Sequence, residues 1–196
     1  MIKTFDFYFD FASPYTYLAH KEIRRIEKEN AVQINYMPIL LGGLLKAAGI
    51  KANADIPIKA KYMIKDCKLW SEKYGISFKF NNYFPIASLN LMRCVLIAKK
   101  KGFEKHFINK VFDAIWMHGL NLNDDMIYNK LLKNLDINPK SFLTEALAVN
   151  NKEILKKKTD DAFNSGVFGA PTFIINNKIF WGQDRLEFVL KEASKK

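Results

Sequence analysis

The stretch from residue 5 to residue 18 restricts the fold of this chain more than any other. Phenylalanines at positions 5, 7, 9 and 11 alternate with Asp6, Tyr8 and Asp10. This period of two predicts a β-strand over residues 5–11 with one fully apolar face. Apolar residues recur at helical spacing after Pro14, so we expect the strand to lead directly into a helix.

Ser13 and Pro14 mark the predicted junction between the strand and the helix. Proline suits the first helical position, because its φ angle is already helical and no N–H is needed there. Ser13 then becomes the N-cap, at a helix start where backbone N–H groups and the helix dipole stabilise an anion. A capping role alone is the alternative that this stretch leaves open.

Length and charge set broad limits on the protein class. The chain has 196 residues, 49% of them hydrophobic, which predicts one compact domain or two closely packed ones. An excess of 31 Lys and Arg over 20 Asp and Glu gives a net charge of +11. The lysines are scattered along helical segments, and no nucleic-acid-binding motif accompanies them. We expect a lysine-rich surface that includes a positive cleft for a small anion. We expect no nucleic-acid partner.

The cysteines and histidines indicate neither a redox nor a metal site. Cys67 and Cys94 form no C-x-x-C motif, and the three histidines lack metal-ligand spacing. We expect a packing role for His20, which lies two turns beyond Ser13. The chain has no signal-peptide pattern and no run of ~18 apolar residues, so a cytoplasmic protein without a membrane partner is expected.

The remaining chain is expected to be mostly helical, with strands near both ends. A second strand is predicted at 32–37 and a short helix at 41–49, followed by a loop at 50–56. Longer helices are predicted at 59–74, 88–101, 103–118, 124–135, 139–149 and 152–164, with Asn123 and Asn138 as caps of two of them. A hairpin turns at Asn176-Asn177 between strands at 172–175 and 178–181, and a last helix covers 186–193.

Three motifs together resemble one known family. They are the run from Phe7 to Tyr15, the run Gly166-Val-Phe-Gly-Ala-Pro-Thr-Phe173, and Phe180-Trp-Gly-Gln-Asp-Arg-Leu186. The chain resembles the DsbA-like branch of the thioredoxin fold, and more closely the family of 2-hydroxychromene-2-carboxylate isomerases and kappa-class glutathione transferases. The resemblance implies an α/β, thioredoxin-like domain over 1–39 and 166–196, with an all-helical insertion at 40–165.

The resemblance implies a site that uses an external thiol. Redox members of the fold carry C-P-x-C at the start of the first helix, where this chain has Ser13, Pro14, Tyr15 and Thr16. Without these thiols, mixed-disulfide chemistry is excluded, and in this family the thiol comes from glutathione. Ser13 is the implied catalytic residue. Pro171 is the implied cis-proline, which exposes the Ala170 backbone for pairing with the bound tripeptide.

Other site residues are carried over from the family position by position. Asp184 is expected to hold the γ-glutamyl ammonium of glutathione, with a plain N-cap as the alternative, and the adjacent segment binds the same ligand through Trp181, Gly182 and Gln183. Three further residues are expected near the substrate, namely Lys46, Asn53 and Phe84. An arginine follows the asparagine in the naphthalene-pathway isomerases, whereas this chain has Ala54.

The resemblance implies a glutathione-dependent isomerase acting on an aromatic keto acid, without a metal and as a homodimer. One alternative is a kappa-like transferase or peroxidase acting on other small electrophiles. Another alternative, of a different class, is a non-catalytic thioredoxin-fold peptide binder.

Overall fold

The computed structural model describes residues 3–29 and 32–195, apart from the side chain of Lys3. The strands are β1 (Lys3–Phe9), β2 (Val32–Pro38), β3 (Thr172–Ile175) and β4 (Lys178–Trp181). The α-helices are α1 (Pro14–Glu29), α2 (Leu41–Ala47), α3 (Pro57–Tyr74), α4 (Leu89–Lys100), α5 (Glu104–Phe112), α6 (Asp125–Lys133), α7 (Pro139–Leu147), α8 (Val149–Asn164) and α9 (Leu186–Ala193).

The described strands form one mixed sheet in the order β2-β1-β3-β4. Strand β1 is parallel to β2 and antiparallel to β3, and β3 pairs with β4 as an antiparallel hairpin. The hairpin turn is as predicted, because Asn176 and Asn177 have φ angles of 50° and 60°. The helical block between β2 and β3 and the sheet at its two ends confirm the thioredoxin-like α/β fold class.

Other parts of the chain pack against both faces of the sheet. The four predicted phenylalanines are at most 1% exposed and belong to the main core, together with residues from most helices. Tyr8, on the opposite face, packs in a smaller cluster with Leu44 of α2 and Ala162 of α8. On this side of β1, Tyr8 is therefore buried under α2 and α8, whereas Asp6 is half-buried and Thr4 is exposed.

The predicted boundary between two domains crosses one continuous core. The Phe11 and Phe112 ring centroids lie 4.8 Å apart, and Trp116 Nε1 donates a hydrogen bond to the Phe11 carbonyl at 2.8 Å. The division into 1–39 with 166–196 and 40–165 stays a prediction. Positions 1, 2, 30, 31 and 196 of those ranges lie outside the described residues.

Several predicted element ends differ from the structure. Strand β1 ends at Phe9, two residues early, since Asp10 begins the turn toward α1. The helix predicted at 103–118 changes at Asp113–Met117 into a π-helix. Asp124, rather than Asn123, caps α6 by accepting from the Met126 N–H at 2.9 Å. Helix α8 begins three residues early, and only Ala148 separates it from α7.

Candidate active site

Ser13 lies between the end of β1 and the start of α1. The Thr16 N–H donates a hydrogen bond to Ser13 Oγ at 3.2 Å, so the predicted N-cap is confirmed. The first turn of α1 contains no acidic residue, so no carboxylate within the helix itself compensates its positive end. Ser13 is 5% exposed and borders a cavity of about 770 Å³. A cap, a helix start and a cavity therefore meet at this hydroxyl.

The peptide bond between Ala170 and Pro171 is cis, as the resemblance implies. Ser13 Oγ donates to the Ala170 carbonyl oxygen at 3.2 Å, although the two residues are 157 positions apart. Ala170 and Pro171 both line the cavity beside Ser13. The structure thus brings the N-terminal hydroxyl and the C-terminal proline motif into one site.

The segment after β4 forms the next part of the wall, with Trp181, Gly182, Gln183 and Asp184 all lining the cavity. The Gly182 N–H donates to the Pro171 carbonyl at 2.9 Å, which ties this segment to the cis-proline. Gly182 has a φ angle of 109°, and a Cβ there would lie 2.5 Å from Asp184 Oδ1. Only glycine therefore fits this position without moving Asp184.

Asp184 is paired with its neighbour Arg185, whose Nη1 lies 2.5 Å from Asp184 Oδ2. Arg185 is the N-cap residue of α9, and within the described residues no side chain caps that helix. The alternative that Asp184 is a plain N-cap is therefore wrong. The pair places a carboxylate and a guanidinium side by side on the cavity wall.

Two of the three predicted substrate residues lie in the cavity wall, namely Asn53 and Phe84. The Phe84 ring packs against Phe80 at 5.2 Å between centroids. Lys46 is exposed on α2 and lies outside the residues that line the cavity. Lys51, in the loop after α2, borders the cavity instead, together with Ala54. Periodicity does not locate such a residue, because the loop conformation determines which side chain reaches the cavity.

The cavity combines an apolar wall with several charged groups. The apolar wall comes from the loops and helices that follow β2 and includes Leu41, Leu45, Ile50, Met63, Ile86 and Leu89. Tyr15 lines it near Ser13, and burial followed by a hydrogen bond with Asp66 raises the pKa of this phenol well above its ordinary value. Tyr15 therefore stays protonated at neutral pH.

Asp10 also lines the cavity, although the sequence pattern marks it only as a polar strand residue. The side chain is fully buried, and its two oxygens accept hydrogen bonds from the Ala12 and Leu41 N–H groups at 2.9 and 2.7 Å. Burial raises the pKa of this carboxyl, while the hydrogen bonds from Ala12, Ser88 and Leu41 oppose that rise.

The other candidate groups are structural. His20 is fully buried between the Tyr36 hydroxyl and Asn109 Oδ1, at 3.1 and 3.4 Å, as the predicted packing role requires. Cys67 and Cys94 are buried free thiols, and burial raises the pKa of both. Among the described residues, no group of His, Cys, Asp or Glu side chains is placed to hold a metal ion. No described helix is long and apolar enough to cross a membrane.

Comparison with known proteins finds relatives that cover nearly the whole chain. The chain is similar to 2-hydroxychromene-2-carboxylate isomerase of Sphingobium xenophagum, with 29% identity covering 96% of this chain and 97% of the relative. Glutathione S-transferase kappa 1 of Caenorhabditis elegans is 23% identical, covering 94% of this chain and 88% of the relative. A solved 2-hydroxychromene-2-carboxylate isomerase superposes with a TM-score of 0.88 at 27% identity, covering 97% of this chain and 93% of the other.

The fold itself is shared more widely. A probable DsbA oxidoreductase from Streptomyces coelicolor superposes with a TM-score of 0.71 at 12% identity, covering 98% of this chain and 91% of the other. A family model described as the DSBA-like thioredoxin domain matches residues 4–193. This chain has Ser13 where redox proteins of this fold place a cysteine. It belongs to the DSBA-like thioredoxin domain family.

Proposed function

We propose that this protein is a glutathione-dependent isomerase that resembles 2-hydroxychromene-2-carboxylate isomerase and acts on a small conjugated keto acid. The observation that carries the proposal is the position of Ser13. Its hydroxyl lies at the start of α1, 3.2 Å from the carbonyl oxygen before a cis-proline, and borders a large cavity. Both cysteines of the chain are buried and do not line this cavity, so the thiol comes from outside.

In this proposal the Ser13 hydroxyl turns its proton from the Ala170 carbonyl to the bound sulfur, and together with the helix start it stabilises a thiolate. A helix N-terminus favours a nearby anion by about 0.3–2 kcal/mol. A hydrogen bond to a charged group adds about 1.5–3 kcal/mol. Together they lower the pKa of a thiol from ~8.5 to between about 5 and 7. A thiol held here is mostly ionised at neutral pH, and the thiolate is the nucleophilic form.

The walls on either side of Ser13 suit the two parts of a γ-glutamyl peptide. The backbone at Ala170 and Pro171 provides hydrogen-bonding groups for an extended cysteinyl residue. Asp184 and Arg185 offer opposite charges, which match the ammonium and the carboxylate of the γ-glutamyl end. Trp181, Gly182 and Gln183 complete this side of the binding segment.

Bound glutathione supplies a thiolate that adds reversibly to a conjugated carbon of the substrate, so that a double bond becomes single, rotates and re-forms when the thiolate leaves. Ser13 holds the sulfur as an anion at the beginning and at the end of this cycle. Asn53, Phe84 and the apolar wall position the organic substrate, and Lys51 is the nearby cation for its carboxylate. The reaction needs no external oxidant or reductant.

A kappa-class-like transferase or peroxidase is the second candidate, because relatives named glutathione S-transferase kappa share 22–26% identity with this chain. The two activities are separated by the product, since an isomerase releases glutathione unchanged and a transferase consumes it.

We further propose that the protein is a cytoplasmic homodimer that acts in aromatic compound catabolism. Two buried free thiols suit a reducing compartment, and light scattering measures the oligomeric state.

The test combines calorimetry with glutathione, thiolate absorbance of the complex, and turnover of a 2-hydroxychromene-2-carboxylate substrate. Ser13→Ala should lower turnover about 10- to 10³-fold, the range for removing one donor to a charged group in an active site. Glutathione affinity should change much less. Ser194→Ala is the matched control, because its hydroxyl donates to the Lys191 carbonyl on α9, outside the cavity.

Two results would contradict the proposal. A chain that binds extended peptides but not glutathione is a peptide binder of the thioredoxin fold. An active Ser13→Ala variant with an unchanged thiol pKa removes Ser13 from the mechanism.

A further inference from the structure

The cavity wall contains a fully buried carboxyl group that the proposed mechanism does not use. Asp10 lies three residues before Ser13, at the point where β1 turns toward α1. A buried carboxyl is costly unless its oxygens are satisfied by donors. The hydrogen-bond partners of Asp10 therefore show which parts of the structure this carboxyl group holds in place.

The donors to Asp10 come from three separate parts of the cavity wall. Its Oδ1 accepts from the Ala12 N–H at 2.9 Å, in the turn that carries Ser13. Its Oδ2 accepts from the Leu41 N–H at 2.7 Å, at the first residue of α2. The Ser88 hydroxyl, at the residue that precedes α4, donates to the same carboxyl.

These contacts fix both the turn and the adjacent helix. The Ser13 N–H donates to the Asp10 carbonyl at 3.2 Å, so Asp10 holds this turn through its main chain and its side chain. Helix α2 begins after Leu40, whose side chain provides no cap. Asp10 thus takes the place of a cap for α2, although it lies 31 positions earlier, in the turn after β1.

We propose that Asp10 is a positioning residue, whose buried carboxyl holds the Ser13 turn, the start of α2 and the start of α4 together so that the Ser13 hydroxyl stays aimed at the thiol position beside Ala170. The kinetic part of this inference rests on the proposed function. The geometric part rests on the hydrogen bonds of Asp10 alone.

Asp10→Asn is the sharpest change, because it keeps the size of the side chain. The amide has one oxygen, so its NH₂ group must face an N–H donor from either Ala12 or Leu41. The Ser13 turn and α2 then separate. Misplacing a catalytic group by about 1 Å costs on the order of 10²-fold, so we expect kcat per folded molecule to fall about 10- to 100-fold.

Asp6→Asn is the matched control. Asp6 lies on β1, four residues before Asp10, loses the same charge on substitution, and accepts a hydrogen bond from Asn35 Nδ2 at 2.8 Å. It does not line the cavity. Ser88→Ala is a milder second variant, which removes one of the three donors and should lower kcat about 2- to 5-fold, within the range for losing one hydrogen bond.

The experiment measures glutathione affinity by calorimetry, kcat at saturating substrate per folded molecule, and crystal structures of Asp10→Asn and the unaltered chain. We expect kcat to fall in Asp10→Asn but not in Asp6→Asn, glutathione affinity to change less than kcat, and the 3.2 Å contact between Ser13 Oγ and the Ala170 oxygen to be lost.

An unchanged Ser13 position in the Asp10→Asn crystal would overturn the inference, as would losses of activity that only follow the folded fraction. Should the unaltered chain fail to bind glutathione, the proposed function fails. The crystal structures still decide whether Asp10 positions Ser13.

Discussion

Two clefts of similar volume open along helix α1, and they differ in what their charges can do. The cleft along its C-terminal half measures about 860 Å³ and is lined mainly by cations. Most of these cations are already paired. Lys21 lies 3.0 Å from Asp113, Arg25 lies 2.6 Å from Glu29, and both Arg24 and Lys105 contact Glu27. We call this the basic cleft.

The cavity at the beginning of α1 has the opposite character. Its wall is largely apolar, and the helix start at Ser13 faces it. Its charged residues are the cations Lys51 and Arg185 and the acidic residues Asp10, Asp55, Asp66 and Asp184. The first turn of α1 has no acidic residue, and Lys51 has no ion pair among the described residues, whereas Arg185 and most cations of the basic cleft are paired with carboxylates. A net charge of +11 therefore does not locate the anion site, since paired cations offer little to a ligand.

The largest expected effect is a new activity at the beginning of α1. Ser13→Cys with Thr16→Cys restores the C-P-x-C pattern beside the cis-proline. Thr16 Oγ1 has no hydrogen-bond partner among the described residues, so its replacement removes no bond. We expect thiol–disulfide exchange in an insulin-reduction assay, an intramolecular disulfide by mass spectrometry, and loss of isomerase activity.

Ser141→Cys with Thr144→Cys is the control for this double variant, because it has the same residue types and spacing on α7, outside the cavity. An equal rate of insulin reduction in both pairs would show that the cavity contributes nothing. The same conclusion would follow if the thiol introduced at position 13 titrated like a free cysteine.

The next expected effect is a pH dependence of the free energy of unfolding, caused by His20. Burial lowers the pKa of His20 to about 3, whereas in the unfolded chain a histidine titrates near ~6.5. The unfolded state therefore binds more protons between these values, so the free energy of unfolding falls as the pH falls. We expect His20 to contribute about 1.6 kcal/mol of that decrease between pH 6.5 and pH 5.

Denaturant unfolding at several pH values measures this contribution as the difference between the unaltered chain and His20→Gln. His106→Gln replaces an exposed histidine of the basic cleft and should leave the slope unchanged. Parallel slopes for all three proteins would contradict a neutral, buried His20.

A smaller effect is expected from Asp184→Asn, which removes the proposed partner of the γ-glutamyl ammonium. Glutathione should bind about 10-fold more weakly, in the range for one charged hydrogen bond. The rate of the saturated complex should change less, since the ammonium is held equally throughout the reaction. Asp113→Asn breaks an ion pair of the basic cleft and is the calorimetric control. Equal affinities for the two variants would remove Asp184 from the binding site.

The smallest expected effect is a change in KM, tested with one lysine from each cleft. Lys51→Gln should raise KM for a carboxylate substrate about 3- to 5-fold, corresponding to about 1 kcal/mol from one partly exposed ion contact. Lys105→Gln, in the basic cleft, should leave KM within about 2-fold of the unaltered value. Steady-state kinetics decide between them, and a larger effect of Lys105→Gln would reverse the assignment of the two clefts.

Local chemistry explains which parts of the fold are predictable. Ser13-Pro14 defines a helix start and Asn176-Asn177 a hairpin turn, since each depends on neighbouring residues only. The change to a π-helix at Asp113–Met117 is not visible in apolar spacing, because that segment continues the apolar pattern of α5. Asp124 and Asn123 both suit an N-cap, and the chain path alone selects Asp124.

The residues of the candidate site, too, can be predicted from the sequence only in part. Ser13, Pro171 and Asp184 follow from motifs that resemble a known family, and each lies in the cavity wall. Asp10 cannot be found in this way, because its burial depends on α2 and on the residue before α4, which are distant in sequence. Lys51 lines the cavity and Lys46 does not, because Lys46 lies on the exposed side of α2, whereas Leu41 and Leu45 of the same helix face the cavity.

The central position of β1 has a consequence for the newly made chain. Its parallel partner β2 is synthesised soon afterwards, whereas its antiparallel partner β3 begins only at Thr172. During translation one edge of a phenylalanine-rich strand therefore remains without its partner until most of the protein has left the ribosome. Such an edge promotes pairing with other chains. Expression yield should therefore depend on how quickly synthesis reaches the C-terminal hairpin.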